Sequence, residues 1–352
     1  PYLIAIGVLF VLALIITFAV NRKTVKEIAT RKIIHSESWI VALVGIVVAV
    51  SMMMSGPLST LLNNATITKY ELSDTTVSKA NELAKEVQSE AITLLKNDDS
   101  NLPLSNKKVN VFGWGSTNPV YGGTGSGSMS KQYATTSLLD GMKEAGIETN
   151  SELSKLYTDY RSDRPEVGMW AQDWTLPEVP AKQYSDKLIS DAKSFSDEAV
   201  ITITRVGGEG ADLPTNMKAD GITYTNNSKD YEDFKDGESF LQLSQTERDM
   251  IDLVTKNFDK VTLVYNGANT FQFDFLSNYP QIKSVVWCPP ASQTGFSALG
   301  DVLAGKTNPS GKTWPLPCRT TTSASSNTPT WRTRPQSIRA SLAMTSLPSR
   351  LS

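Results

Sequence analysis

Two stretches without a single charge lie close together near the start of this chain, and they limit what it can fold into more than any other feature. The first, "YLIAIGVLFVLALIITFAV", fills residues 2–20, and the second, "WIVALVGIVVAVSMMM", fills residues 39–54. At the helical rise the first run spans about 28 Å, close to the roughly 30 Å hydrocarbon core of a bilayer. The second is shorter and opens on Trp39, a residue suited to a membrane interface. Between them lie Arg22, Lys23, Lys26, Arg31 and Lys32, whereas no Lys or Arg follows the second run until Lys69. The positive-inside rule then predicts a two-helix transmembrane hairpin, about 2–20 and 39–55 within residues 1–56, with its basic loop in the cytoplasm. Everything after it is placed on the extracellular side of the cell membrane. A cleaved signal peptide fits poorly, because there are two runs and the second lacks a basic leader. A linker is expected over 57–74.

Composition removes several classes of function. A net charge of −2 with both signs interspersed gives no basic field for nucleic acid. Two cysteines, Cys288 and Cys318, and the single His35 are too few for a structural zinc site or a disulfide framework, so no metal and no cofactor is expected. Chemistry must rest on carboxylates, amides and hydroxyls. The chain opens on Pro1 rather than Met, and it is expected to be a fragment.

From Asp74 the apolar positions Val77, Ala80, Ala84, Val87, Ala91 and Leu94 recur at three and four, one face of a helix. A short β-rich run "KKVNVFGWG" and a helix-like "SLLDGMKEAG" follow. The alternation returns as a helix over 184–197, a strand "EAVITITRV" over 198–206, and a helix opened at Ser244 by a capping box with Glu247. Strands "KVTLVYN" and "SVVWC" and a helix over about 294–304 complete it. This pattern predicts an α/β domain over 75–313, with a largely parallel sheet sandwiched by helices on both faces. Residues 147–181 read as a long polar loop, and Cys288 reads as a small buried hydrophobe.

In such sheets ligands gather at loops leaving the carboxyl ends of strands. Two of those loops are unusually rich in glycine: "GWGSTNPVYGGTGSGS" over 113–128 and "GGEGADLP" over 207–214. A phosphate-cradling loop is the first competing reading, but neither the G-K-[ST] ending nor the spaced G-x-G-x-x-G opening a helix is present. Within the second loop a lone carboxylate, Glu209, stands between glycines. Spacing alone fits a solvated turn better than a catalytic acid.

Taken in order, "SEAITLLKNDDSNLPL" (89–104), "VNVFGWGS" (109–116), "GGTGSGS" (122–128), "GGEGAD" (207–212), "LQLSQTERDMI" (241–251), "VTLVYN" (261–266) and "GFSALGDVLAGKTNPSGKT" (295–313) resemble the α/β sandwich domain of glycoside hydrolase family 3. The resemblance implies a retaining β-glucosidase-like enzyme with a carbohydrate substrate. It implies that Glu209 is the acid/base, with Glu238 in "KDGESF" as the alternative, because the position of this residue varies between subgroups. It brings Gly122, Gly123, Gly125, Gly127, Asp212, Trp170 and Trp174 forward as substrate-binding candidates. The glycines equally suit a plain connection, Asp212 a loop cap, and the two tryptophans local packing.

The same resemblance exposes a gap. The family's nucleophile sits on a (β/α)₈ barrel, which needs about 250 residues, and no such segment fits here. A sandwich directly after membrane spans resembles the subset with reversed domain order, whose barrel would follow Lys312. From Thr313 to Ser352 there is no Asp, Glu or Lys. That loss suits a shifted reading frame better than a mucin-like tail, and 314–352 is expected to be unstructured. An unperturbed glutamate titrates near 4.3, so at pH 7 only about one in 500 carries a proton. A general acid therefore needs burial or a neighbouring carboxylate, and the chain alone is expected to be inactive. The remaining alternative is a non-catalytic cell-surface carbohydrate-binding or scaffold module.

Overall fold

Both apolar runs are helical in the computed structural model, which describes residues 2–313 except 55, 57, 58, 60, 61, 63–71, 131, 169 and 170, with Ser126 described by its backbone alone. Most of the linker expected at 57–74 and all of the tail 314–352 lie outside the described residues. Helices α1 (Tyr2–Ala19) and α2 (Ile28–Met54) pack on each other. Small residues form the seam: Ala13, Ala42 and Ala49 are buried, and the Leu9 side chain lies on Gly45. Polar ties close the loop end, where the Trp39 indole N–H donates to Thr17 Oγ1 at 3.0 Å and His35 Nε2 lies 2.9 Å from the Val20 carbonyl oxygen. Helix α2 starts well before Trp39, so its first turns carry Arg31 and Lys32. Most of the large apolar side chains of both helices are exposed.

Helix α3 (Asp74–Ala91) starts at Ser73, whose hydroxyl accepts the Thr76 N–H at 3.3 Å. It ends sooner than its periodicity suggests. Ile92 turns extended and Leu94 belongs to strand β1 (Thr93–Asn97). Val87 and Ala80 are exposed, because α3 rests on the next layer through Val77, Asn81, Ala84 and Gln88 instead.

The sheet then builds from β2 (Lys108–Phe112), β3 (Glu148–Thr149), β4 (Glu198–Arg205), β5 (Lys260–Gly267) and β6 (Ile282–Cys288), in the order β1-β6-β5-β4-β2-β3. Five strands run parallel, and β1 lies antiparallel on the β6 edge. Every residue of β4 is buried, as expected for a central parallel strand covered on both faces. Its side chains alternate between two cores. Ala199, Ile201 and Ile203 meet α5 (Ser151–Tyr160), α6 (Asp186–Phe195) and α7 (Gln245–Asn257). Val200 meets α4 (Leu138–Glu144) and α8 (Gly295–Leu303). Cys288 is buried in that second core, as its position suggested.

Residues 147–181 are not one loop. They contain β3 and α5, the latter capped by Asn150 Oδ1 on the Glu152 N–H and burying Leu153 and Tyr157 at a spacing of four. The capping box read at the start of α7 is present, with the Ser244 hydroxyl accepting the Glu247 N–H and Glu247 accepting the Ser244 N–H.

Helices α4 and α8 approach backbone to backbone. A Cβ added at Gly300 would overlap the Gly141 carbonyl oxygen, and one added at Gly141 would overlap that of Phe296. Overpacking of this kind costs about 1–3 kcal/mol, so Gly300→Ala should lower the unfolding free energy by that amount in a urea titration, and an unchanged midpoint would contradict the contact.

Beneath the β2 and β4 loops lies a buried carboxyl. Glu178 Oε2 accepts the Trp114 N–H and Oε1 the Val179 N–H, each at 2.9 Å. Desolvation dominates over these two bonds, and the Glu247 and Asp233 charges add to it, raising the pKa to about 8. The folded chain therefore holds a proton that the unfolded chain releases, and stability falls as pH rises from the free carboxyl range through about 8. Replacing Glu178 with Gln removes this titration. The unfolding free energy of Glu178→Gln should gain on the wild type between pH 5 and pH 8, whereas a gap independent of pH would show that Glu178 ionises normally.

Candidate active site

The order of strands places the crevice. From β2 the chain goes outward to β3 and then returns past β2 to β4, so the winding reverses between β2 and β4. Loops leaving the carboxyl ends of these two neighbours diverge, and that is where open α/β sheets bind ligands. Both glycine-rich loops leave from this point.

Glu209 stands in a tight turn between Gly208 and Ala211, which form an isolated antiparallel bridge. Gly210 adopts φ +76°, a conformation that favours glycine. Ala211 is buried in a satellite core with Val167, Trp174, Leu176, Met217, Phe234 and Phe240, so the turn is anchored directly beside the carboxylate. Glu209 itself is exposed.

The loop after β2 crosses this turn closely. Thr124 Oγ1 donates to the Glu209 carbonyl at 3.2 Å. A Cβ at Gly208 would overlap the Thr124 backbone, and one at Gly125 would lie 2.9 Å from Glu209 Oε2. Gly123 approaches the Gly207 carbonyl oxygen in ordinary contact, and its N–H donates to Gly127 at 3.1 Å. Gly123 and Gly125 are thus brought to the Glu209 segment, whereas a Cβ at Gly122 would meet Met129 and one at Gly127 would meet open space; bare backbone at Gly125 and Gly208 is what lets the two loops cross. A third segment joins them, since Gln172 Nε2 donates to the Gly210 carbonyl at 3.1 Å.

Other candidates are placed differently. Asp212 is exposed on the same loop, one residue past the anchored Ala211. Glu238 lies partly buried where the long β4 excursion returns, accepting the Lys235 N–H at 2.7 Å and facing Arg248 at 3.5 Å. Its carboxylate is engaged in local structure. Trp174 corrects the expectation of a sugar-stacking ring: it is 1% exposed and meets Phe240 edge to face at 5.0 Å, so protein occupies its faces. Trp170 lies outside the described residues. Among the described residues no group of His, Cys, Asp and Glu is placed to hold a metal ion.

The framework behind the crevice was less visible in sequence. Asn266, at the end of β5, accepts the Val120 N–H at 2.6 Å and donates to the Cys288 carbonyl at 3.1 Å, tying the β2 loop to the sheet. Arg164 stacks on Trp114 at 4.9 Å and donates to Thr204 Oγ1 at 3.0 Å and to the Asn118 carbonyl. Desolvation and the nearby Arg205 cation lower its pKa to about 9, which leaves it charged at neutral pH. A signal existed for Arg205 alone, an arginine closing an otherwise uncharged run, "AVITITR".

Known proteins share this architecture. Residues 92–341 match the model of the glycosyl hydrolase family 3 C-terminal domain. Beta-glucosidase A of Butyrivibrio fibrisolvens is 29% identical over 242 residues, covering 66% of this chain and 28% of that enzyme. A beta-glucosidase of Ruminococcus albus is 30% identical over 236 residues, 66% of this chain and 22% of its own length. Beta-glucosidase 3B of Thermotoga neapolitana, solved in complex with α-D-glucose, superposes with a TM-score of 0.52 at 30% identity over 67% of this chain and 30% of that one. The chain therefore spans less than a third of the length of these relatives. With its mostly parallel sheet and its order of motifs, this chain belongs to glycosyl hydrolase family 3 through the C-terminal domain of that family.

Proposed function

We propose that this chain is the acid/base portion of a membrane-anchored, β-glucosidase-like glycoside hydrolase that cleaves β-glucosides or short oligosaccharides with retention of configuration. One observation carries the reading: Glu209 is held at the tip of an anchored turn where the β2 and β4 loops diverge, in a family 3 domain. In the first step Glu209 gives its proton to the glycosidic oxygen as an aspartate on a barrel domain attacks the anomeric carbon. In the second it takes a proton from the water that releases the sugar. Such a pair needs carboxyl groups about 5–5.5 Å apart. The short coverage of the relatives supports a partner domain outside this chain. Gly122, Gly123, Gly125 and Gly127 shape the rim of the cleft, with Asp212 beside it.

Exposure of Glu209 supports the same dependence. A barrel closed over the crevice would take Glu209 out of water and set a second carboxylate near it, and both changes favour the protonated form that a general acid needs. The chain alone should therefore not turn over an aryl β-glucoside, and joining it to its barrel should restore turnover. In that complete enzyme Glu209→Gln should lower kcat by about 10²–10⁴-fold, while Glu238→Gln should leave it near wild type. Turnover by the chain alone, or cellobiose binding without a barrel, would overturn the assignment, the latter in favour of a binding module.

The anchor is supported by two helices long and apolar enough to cross a membrane, whose apolar side chains are mostly left uncovered by the rest of the protein. Basic residues between them support a cytoplasmic loop with the α/β domain outside. Alkaline phosphatase fused after Lys69 should be active, and an inactive fusion would place the domain on the other side.

A further inference from the structure

Arg205 is the last residue of β4, four positions before Glu209, and is completely buried. All five of its N–H groups find partners. Two meet the carboxylate oxygens of Glu247 at 2.7 Å each. The others reach the carbonyls of Phe240 at 2.7 Å, Gln242 at 2.6 Å and Thr204 at 2.9 Å. The rings of Phe271 and Phe240 lie over its Cζ at 4.9 and 5.4 Å. Glu247 in turn accepts the Ser244 N–H at 2.8 Å at the start of α7. One guanidinium therefore touches both ends of the 206–243 excursion, where it leaves β4 and where it returns to the helix.

A buried ion pair is a poor source of net stability, because desolvation offsets the attraction, and apolar residues of similar volume are often neutral or better. What apolar residues lack is direction. The planar guanidinium presents its donors in a fixed fork, and here that fork sets three carbonyls and one carboxylate in a single arrangement. The turn that carries Glu209 is reached within four residues of it.

We propose that the Arg205–Glu247 pair is a positioning clamp that fixes the seat of Glu209 by locking both ends of its excursion. The importance of that seat rests on the reading of Glu209 as proton donor, but the clamp can be observed without turnover. In the full chain labelled with ¹³C at glutamate Cδ, the Glu209 resonance is identified by its loss in Glu209→Gln. Two variants are compared with wild type. Arg205→Lys keeps the charge and loses the fork, and Arg205→Met with Glu247→Leu replaces the pair by apolar groups.

In both, the Glu209 resonance should shift, split or broaden, and amides of 206–213 should exchange at least ten times faster. Amides of 261–266 and 284–288 should keep their protection. An unchanged Glu209 resonance and unchanged loop exchange would overturn the clamp. So would an equal loss of protection across loop and strands, the mark of a pair that only stabilises the fold. Should the double variant not fold, Arg205→Lys decides alone. Failure of the glycosidase reading would appear instead as full activity of Glu209→Gln in the complete enzyme, and would leave these measurements untouched.

Discussion

The reversal of winding between β2 and β4 is the constraint on which the remainder of the site depends. Because β3 lies on one side of β2 and β4 on the other, the connections leaving these two neighbours must part, and a crevice opens over their carboxyl ends. The chain does not leave the crevice empty. It sends the 113–137 loop and the 206–243 excursion across each other there, and they can cross only where side chains are missing. Gly208 against Thr124 and Gly125 against Glu209 are the points of closest approach. The glycines at 125 and 208 thus follow from this crossing, and the carboxylate sits at it.

Two kinds of force then divide the work along the strands. In the middle of the sheet the side chains of β4 and β5 enter apolar cores, a contribution of about 25 cal/mol per Å² that carries no direction. At the carboxyl ends the buried groups become polar: Thr204, Arg205, Asn266, Glu178 and Glu247. Each unsatisfied group of this type would cost about 1–3 kcal/mol, so their partners are effectively obligatory, and the partners lie in the loops. Asn266 holds the segment after β2, Glu178 holds Trp114, and Arg205 holds the return to α7. The penalty for leaving such groups unpaired is what ties the loops to the sheet.

Much of the scaffold was legible because it depends on local rules. Apolar runs bounded by turn residues gave β2, β4, β5 and β6, and S-x-x-E gave the start of α7. The misses have physical causes. Strand β1 was hidden because Leu94 continues the helical spacing of α3, and only pairing with β6 makes that segment extended. Helix α5 was hidden in a polar stretch because its buried face is narrow, essentially Leu153 and Tyr157. Sequence left Trp174 open between sugar stacking and packing because its partner, Phe240, is distant in sequence, and no spacing rule links two loops. For Glu209, spacing supplied only a lone acid among glycines, and the order of motifs supplied a role. Neither could reveal the clamp, whose two charges meet only when β4 and α7 are side by side.

Position and protonation are separate requirements for a general acid, and within the proposed function this chain supplies them unequally. Position calls for a short, anchored turn: Gly210 at φ +76°, Ala211 in a satellite core and Thr124 on the Glu209 carbonyl provide it without any second domain. Protonation is favoured by desolvation or a neighbouring negative charge, and Glu209 is exposed on its turn. Glu178 shows what burial does in this same protein, for a carboxyl a short distance below the crevice is raised to about 8 once water is removed. A domain that covered Glu209 to a comparable degree would push it in the same direction. Such a division would favour the protonated form once the crevice is closed over substrate, so that closure itself would arm the proton donor.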